Sequence, residues 1–462
     1  MAVWSAVRLS SLTPDLRLDA EYYRPDLLKL DRELEHLQAR RFGDIGGQFV
    51  VGPFGSDFNV ENYIDDSPYR YVRGKDVKPF FLQDDDNAYM PRAEFDRLSK
   101  YALKPFDILI SVVGTLGNCA IVPEAIGKAV FSCKSTVWRP PELRDDFAFY
   151  LAAYLNCRIG QALFQRMPRG HVQTGLNLDD LRSMPIVEPD SQNLKRIAAM
   201  VRRSQLEVSN ARAAVTAAEM LLMEALGLDR LNLTPQKCYF RRFGDLQAET
   251  RFDAEYFNPK YQRIIRRLRE GGQTLANVAA LSERVFNPAG WTTSSTFRYI
   301  EIGSLSGDGE AESEIVEIVD APSRATWIVR PGDIITSTVR PIRRLSALIR
   351  DNQDGCVCSS GFAVLTPKSG ADGVEPEVLL TYLRLPVICE ILDLHTTASM
   401  YPAIPVHRLM NMPIIVPDRR ARKQIVAKVQ EGMAFRGESA RLLREATKKV
   451  EELIASEFGR GK

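Results

Sequence analysis

The sequence predicts an α+β fold in which two like, mixed α/β domains are each followed by a long helix. The two helices are expected to pair as an antiparallel coiled coil, with a pseudo-twofold axis between the domains. Two observations carry this expectation. Residues 17–34, RLDAEYYRPDLLKLDREL, return as RFDAEYFNPKYQRIIRRL at residues 251–268. Between Asp190 and Gly227, a seam of Ile197, Val201, Ser204, Val208, Ala211, Val215, Ala218 and Leu222 advances in alternating steps of four and three. That 3.5-residue period wraps one helix against another.

The whole chain bounds what these elements can be. Its 462 residues exceed what one core supports, so two or more domains are expected. Hydrophobic residues at 45% and charged residues at 26% describe a globular composition. No run approaches the roughly 18 apolar residues of a membrane span. The start, MAVWSAVRLSSLTPDL, lacks the basic cluster and apolar run of a secretory signal, so a cytoplasmic protein is expected. Seven cysteines are scattered along the chain, with Cys356 and Cys358 the only close pair. The four histidines, His36, His171, His395 and His407, do not complete a zinc site, so reduced thiols and no metal are expected. A net charge of +2 gives no global basic field, so contact with a polyanion must come from local clusters.

The repeat extends along most of the chain at an offset of roughly 230 residues. Arg70-Tyr71-Val72 answers Arg298-Tyr299-Ile300, and Leu103 to Leu109 (LKPFDIL) answers Val329 to Ile335 (VRPGDII). Leu181 to Asp190 (LRSMPIVEPD) answers Leu409 to Asp418 (LMNMPIIVPD). The expected boundaries are a first domain at 1–188, a long helix at 189–227, a second domain at 228–416 and a second long helix at 417–458. Within the first copy, strands are expected at Arg70–Val72, Ile108–Val113, Cys119–Val122 and Val130–Trp138. A helical run at Asp146–Phe164 is followed by the polar segment RMPRGHVQTGLNLDDL, and the second copy repeats this with Pro376–Leu394 and HTTASMYPAIPVHRL.

The first long helix has an N-cap in Asp190 and Ser191 and a stop in Gly227. At about 1.5 Å per residue it spans roughly 50 Å. Its narrow stripe cannot stand alone, and the second helix supplies a partner through Ile425, Val429, Met433, Leu443, Val450 and Leu453. The expected packing residues are Ile197, Val201, Val208, Val215 and Leu222 against Ile425, Val429, Leu443 and Val450. Gly432, Arg436 and Gly437 weaken the middle of the second seam.

Catalytic signatures fail one by one. Asn258-Pro259-Lys260-Tyr261 resembles a fragment of an amino-methyltransferase motif, but the second proline is replaced by Lys260 and no glycine-rich loop follows a strand. A helix start with proline in its first turn explains it. Asp190 and Asp418 could open a nuclease carboxylate motif, yet no partner acid and lysine follow, and both sit where a helix cap belongs. No hydrolase or phosphate-cradling motif occurs. A binding protein with two heads remains.

Polar loops carry the candidate contacts. In the first copy these are the tight turn Gly52, Phe54, Gly55 and Ser56, whose amides could approach a phosphate, then Arg73, Lys75 and Lys134. Arg166, Arg169, His171, Gln173 and Thr174 form one exposed cluster. In the second copy they are Arg298, then Arg340, Arg343 and Arg344 where the first copy has Gly114, Gly117 and Asn118, and Thr396, Thr397, Ser399 and Tyr401. Arginine and glutamine bond base edges bidentately, while lysine and threonine suit phosphates. The copies agree in their leading helices and Pro-Asp strands and differ at these loops, as two heads reading two targets would.

RLDAEYYRP and RFDAEYFNP, the Gly52-Pro53-Phe54-Gly55-Ser56 turn, Lys104-Pro105-Phe106-Asp107-Ile108-Leu109-Ile110-Ser111 and the strand–proline–helix passage ending each copy resemble the specificity subunit of type I restriction–modification systems. The resemblance covers essentially the whole chain. It implies two target recognition domains that each read half of a split DNA site, and paired helices that set the spacer. It implies no catalytic centre and no cofactor in this chain. The partners implied are double-stranded DNA, two methyltransferase subunits and motor–nuclease subunits in a prokaryotic cytoplasm, and S-adenosylmethionine, ATP and magnesium fall to those partners. The second copy departs in having Val285-Phe286-Asn287-Pro288 where the first has its glycine turn. A related phage-defence recognition subunit and a two-headed protein-interaction scaffold are the alternatives.

Overall fold

The computed structural model describes the chain apart from residues 1–4, 10–11, 13–16, 66, 85, 143, 169–174, 250, 292–293, 306–308, 369, 371–372, 398–399 and 461–462. It divides into two compact units, residues 1–209 with 435–462 and residues 210–434. Each unit therefore takes one half of both long helices.

The first unit runs α1 (Pro25–His36), β1 (Arg40–Arg41), β2 (Gln48–Val51), β3 (Tyr69–Val72), β4 (Ala88–Tyr89), α2 (Arg92–Arg97), β5 (Ile108–Ser111), β6 (Cys119–Ile121), β7 (Lys128–Phe131), β8 (Ser135–Arg139), α3 (Asp145–Asn156), α4 (Arg158–Arg166), α5 (Leu178–Ser183) and β9 (Pro185–Ile186), then enters α6 (Ser191–Leu226). An antiparallel sheet has the order β2-β8-β5-β6, and a smaller sheet β4-β3-β7 contains the parallel pair β3–β7. The run expected as one strand from Val130 to Trp138 is two strands in different sheets. Ser132–Lys134 turns between them; Phe131 and Val137 bury in one core shared by the two sheets, while Val130 and Trp138 bury in separate clusters. The expected helix Asp146–Phe164 likewise breaks at Cys157, whose backbone is extended (φ −74, ψ 167).

The second unit runs α7 (Phe243–Glu249), α8 (Pro259–Arg269), β10 (Gln273–Thr274), α9 (Leu275–Val278), β11 (Ala279–Leu281), β12 (Thr296–Ile300), β13 (Glu314–Glu317), β14 (Ala325–Ile328), β15 (Ile334–Ser337), β16 (Ser346–Leu348), β17 (Val357–Ser359), β18 (Phe362–Pro367), α10 (Pro376–Arg384), α11 (Pro386–Leu394), α12 (Val406–Met410) and β19 (Pro413–Ile414), then α13 (Arg419–Arg460). Its sheets, β11-β18-β15-β16 and β13-β12-β17-β14, repeat the first unit's order strand for strand, with β14 added at one edge.

The repeated sequence marks the repeated internal bonds. Buried Tyr154 on α3 donates its hydroxyl to the Pro185 carbonyl at 2.8 Å, and Tyr382 on α10 does the same to Pro413 at 2.6 Å. Asp107 and Asp333, the acids of KPFD and RPGD, are buried turn-formers. Each accepts the backbone N–H three residues earlier at 2.8 Å and then binds an arginine, Arg139 or Arg284. Phe106 holds a left-handed backbone (φ 66) where the second unit has Gly332 (φ 87).

Within each unit the halves of the long helices pack antiparallel. Asp190 caps α6 through the Gln192 and Asn193 amides at 2.8 and 2.9 Å, and Asp418 caps α13 through the Ala421 amide at 2.9 Å. Ile197, Val201, Leu222, Ile425, Val429 and Val450 are buried as the seam predicts. Val208, Val215 and Leu443 are only half-buried, and Glu207, Ala214 and Leu442 lie inward instead. The buried positions 197, 201, 204, 207, 211, 214, 218, 222 and 226 advance 29 residues in eight steps, about 3.6 per turn, so α6 turns as an ordinary helix and not on a 3.5-residue seam. Gly432 does not weaken the seam: it is buried, and a Cβ there would lie 3.3 Å from the Ala211 carbonyl oxygen. Glycine is what lets the two backbones approach. Gly437, by contrast, faces open space. No described helix is long and apolar enough to cross a membrane.

Candidate nucleic-acid interface

The motif that opens each copy is a latch behind the polar loops. Arg17 forks onto Asp19 at 2.6 and 2.8 Å, reaches the Met167 carbonyl at 3.1 Å and stacks on Tyr22. Arg251 forks onto Asp253 at 2.7 and 2.8 Å, reaches the Leu394 carbonyl at 2.6 Å and stacks on Tyr256. In both units the arginine therefore holds the C-terminal end of a helix, at Met167 after α4 or at Leu394, the last residue of α11, ahead of a candidate contact loop. A planar fork is needed for this, which lysine does not offer.

In the first unit, three expected elements come together. A Cβ on Gly52 would lie 2.3 Å from the Ser132 carbonyl oxygen, and one on Gly74 would lie 2.8 Å from the Lys134 Cβ. The glycines thus seat the 52–57 turn and the segment carrying Arg73 and Lys75 against the β7–β8 turn. Phe54 is 81% exposed at the tip of its turn, which the Phe54 amide and Asp57 carboxylate close at 3.0 Å. Gly55 and Ser56 beside it are exposed.

Ion pairing sorts the cations. Arg73 is held by Asp76 at 2.9 Å, and Lys75 bonds Asp86 at 2.6 Å. Lys134 is exposed, and no carboxylate pairs with it among the described residues. Arg166 corrects the expected exposed cluster. It is buried at the end of α4, bonded to the Tyr22 carbonyl at 2.8 Å and to Asp31, and it joins the first unit's latch with its guanidinium 3.9 Å from the Tyr22 ring centre. Arg169, His171, Gln173 and Thr174 lie outside the described residues, as does Ser399 in the second copy.

In the second unit, Arg298 is occupied by the Ser313 hydroxyl at 2.7 Å and the Asn352 carbonyl. Arg344 bonds the Arg384 carbonyl at 2.7 Å and the Glu219 carboxylate on α6, so it fastens the sheet to the long helix. Burial raises the Glu219 carboxyl above its ordinary range, against the pull of Arg344 and Arg384. Thr396 closes the end of α11 through its hydroxyl on the Asp393 carbonyl at 2.7 Å.

Arg340 and Arg343 are different. The β15–β16 turn is one residue longer than its counterpart: Ser337 N–H bonds Leu345 O, where Ser111 N–H bonds Asn118 O. Arg340 therefore matches Gly114, Arg344 takes the place of Gly117, and Arg343 lies between. Gly114 and Gly117 have φ of 90 and 81, and Arg340 and Arg344 keep left-handed backbones at φ 50 and 60. That conformation costs a side-chain-bearing residue about 1–2 kcal/mol. Pro402 braces the turn, its carbonyl accepting from the Arg340 amide at 2.8 Å, and Thr397 is bridged to Ala403 beside it. The Arg340 guanidinium bonds the Met400 carbonyl at 3.2 Å and lies 5.6 Å from the Tyr401 ring centre. Arg343 is exposed beside Ile342, and Tyr401 is 70% exposed. Among the described residues no carboxylate pairs with Arg340 or Arg343.

The loops are legible in the sequence, but the loss of Arg166 and Arg344 to internal pairs is not, because Asp31 and Glu219 lie far away in the chain. Sequence reading also missed the latch, whose signal was the repeated Arg-x-Asp itself. Six of the seven cysteines are buried or half-buried and Cys238 is exposed; all are free thiols. Burial pushes the Cys157 thiol up to about 11. Among the described residues no cluster of His, Cys, Asp and Glu could hold a metal ion.

No family model matches the chain. The specificity subunit of the type I restriction enzyme HindI from Haemophilus influenzae is 24% identical over 130 residues, 28% of this chain and 28% of that protein. The chain thus matches little more than a quarter of the length of that curated relative. Among solved structures, a type I restriction–modification S subunit from M. genitalium aligns over 90% of this chain and 95% of its own, at 11% identity and a TM-score of 0.39. The HsdS subunit from Thermoanaerobacter tengcongensis aligns over 89% and 97%, at 16% identity and a TM-score of 0.25. The proteins to which this chain is similar are type I specificity subunits.

Proposed function

We propose that the chain is the DNA-specificity subunit of a type I restriction–modification complex, with no catalytic centre of its own. Each unit reads one half of a bipartite site in double-stranded DNA, and the paired halves of α6 and α13 fix the spacer between them. Methyltransferase subunits dock on the chain and motor–nuclease subunits join for cleavage. S-adenosylmethionine, ATP and magnesium belong to those partners, and the complex works in a prokaryotic cytoplasm.

The observation that carries this reading is the contrast between frame and tips. The latch arginines, the Tyr154 and Tyr382 bonds and the buried turn acids recur in both units, while the tips do not. At matching places the first unit has the glycine turn with Phe54, then Gly114 and Gly117, and the second has Val285-Phe286-Asn287-Pro288, then Arg340 and Arg344. A duplicated enzyme would repeat its reacting groups, whereas a two-part reader repeats its scaffold and varies its contacts. With a net charge of only +2, the chain alone binds DNA weakly and loses that binding steeply as salt rises.

The test is expression of the chain with a cognate methyltransferase, followed by methylome sequencing and co-purification. A split motif with a fixed gap is expected. A continuous motif, or a chain that purifies without any methyltransferase and still binds one sequence tightly, would overturn the reading.

A further inference from the structure

We infer that Arg340 is the base-reading residue of the second unit, taking the O6 and N7 edge of a guanine in the major groove of its half-site. This rests on the proposed reading of the chain as a DNA-specificity subunit. Three observations converge on it. The residue occupies a left-handed position that glycine fills in the first unit, so nothing in the turn's geometry asks for a side chain there. Its guanidinium is nonetheless pinned, by the Met400 carbonyl at 3.2 Å and above the Tyr401 ring at 5.6 Å. And among the described residues no carboxylate neutralises it, whereas Arg73, Arg166 and Arg344 all bind acids.

Backbone strain kept without a folding reason gathers where chains make contacts. A guanidinium with one nitrogen tethered and its plane held near a ring loses little freedom on docking, and its remaining donors form the fork that matches guanine. Arg343, three residues on and exposed, suits the adjacent phosphate. Ile342, Met400 and Tyr401, exposed by 49, 77 and 70%, surround the pair with apolar surface that a base-pair edge can cover.

Two variants in the assembled complex decide the matter. Arg340→Gly installs the residue that the first unit already uses, so folding is not at risk and Tm should be unchanged or raised. In methylome sequencing it should relax one guanine in one half-site, by about ten- to a hundredfold in preference, and leave the other half and the spacer intact. Arg340→Lys keeps the charge but not the fork, and should relax the same position while retaining most of the affinity. An unchanged motif in Arg340→Gly, a guanine preference retained by Arg340→Lys, or loss of both half-sites overturns the assignment. If the unsubstituted chain directs no split motif, the functional reading falls and this one with it; a split motif blind to both variants sinks the Arg340 assignment alone.

Discussion

The Ser204 hydroxyl lies 2.8 Å from the Ser439 hydroxyl, buried between α6 and α13 within the first unit. At the matching positions of the second unit, 228 residues on for Ser204 and 228 back for Ser439, stand Gly432 and Ala211. The same crossing is thus closed by a polar pair in one unit and by bare backbone approach in the other. Ser204→Ala alone leaves one buried hydroxyl without its partner and should cost about 1–2 kcal/mol. The double change to alanine should cost less than the sum of the two singles, which a double-mutant cycle in urea unfolding will read.

Gly432→Leu should destabilise the second unit by at least about 2 kcal/mol, because its side chain would meet the Ala211 carbonyl and the Val215 methyl. Gly437→Ala, five residues on in open space, should stabilise the helix by about 0.5–1 kcal/mol. Thermal unfolding of the two variants should therefore move in opposite directions.

Arg166→Ala should act on stability rather than recognition. It removes the bonds to Tyr22 and Asp31 and leaves the latch with Arg17 alone, a loss of about 2 kcal/mol. The methylation motif of the surviving complex should be unchanged. A shifted half-site would return Arg166 to the contact surface.

His395 gives the second unit an acid-sensitive point. Burial, with Arg251 and Arg408 nearby, lowers its imidazole to about 4 from 6.5. The unfolded chain takes up a proton below pH 6.5 and the folded chain does not until about pH 4. Stability is full above pH 6.5 and falls as pH drops through that window, by about 2 kcal/mol after allowance for partial exposure. His395→Gln should flatten the difference between denaturant midpoints at pH 7 and pH 5.

Inserting one heptad into each long helix at matching positions should lengthen the spacer between half-sites and leave the half-sites themselves unchanged. Methylome sequencing reads both at once, and an unaltered gap would remove the helices from the measurement of distance.

The duplication, the helix caps at Asp190 and Asp418 and the closing turn at Gly227 were legible because each is written in neighbouring residues. The seam was legible at Ile197, Val201, Ala211, Ala218 and Leu222 but not at Val208 and Val215, where Glu207 and Ala214 face inward instead. The break inside Val130–Trp138 was hidden because both flanks are apolar and bury in different sheets. The pairing of Arg73 with Asp76 is local, whereas the spending of Arg166 and Arg344 was beyond local pattern. Arg166 finds Asp31 across 135 positions and Arg344 finds Glu219 across 125, and such partners are set only when the sheets and helices assemble.

The matching hydroxyl bonds of Tyr154 and Tyr382 have one further consequence. They tie helix to strand through residues that both units share and use none of the loop residues in which the units differ, so the same tie holds whichever tip is carried. A tip can therefore be redrawn by substitution without disturbing the frame that carries it.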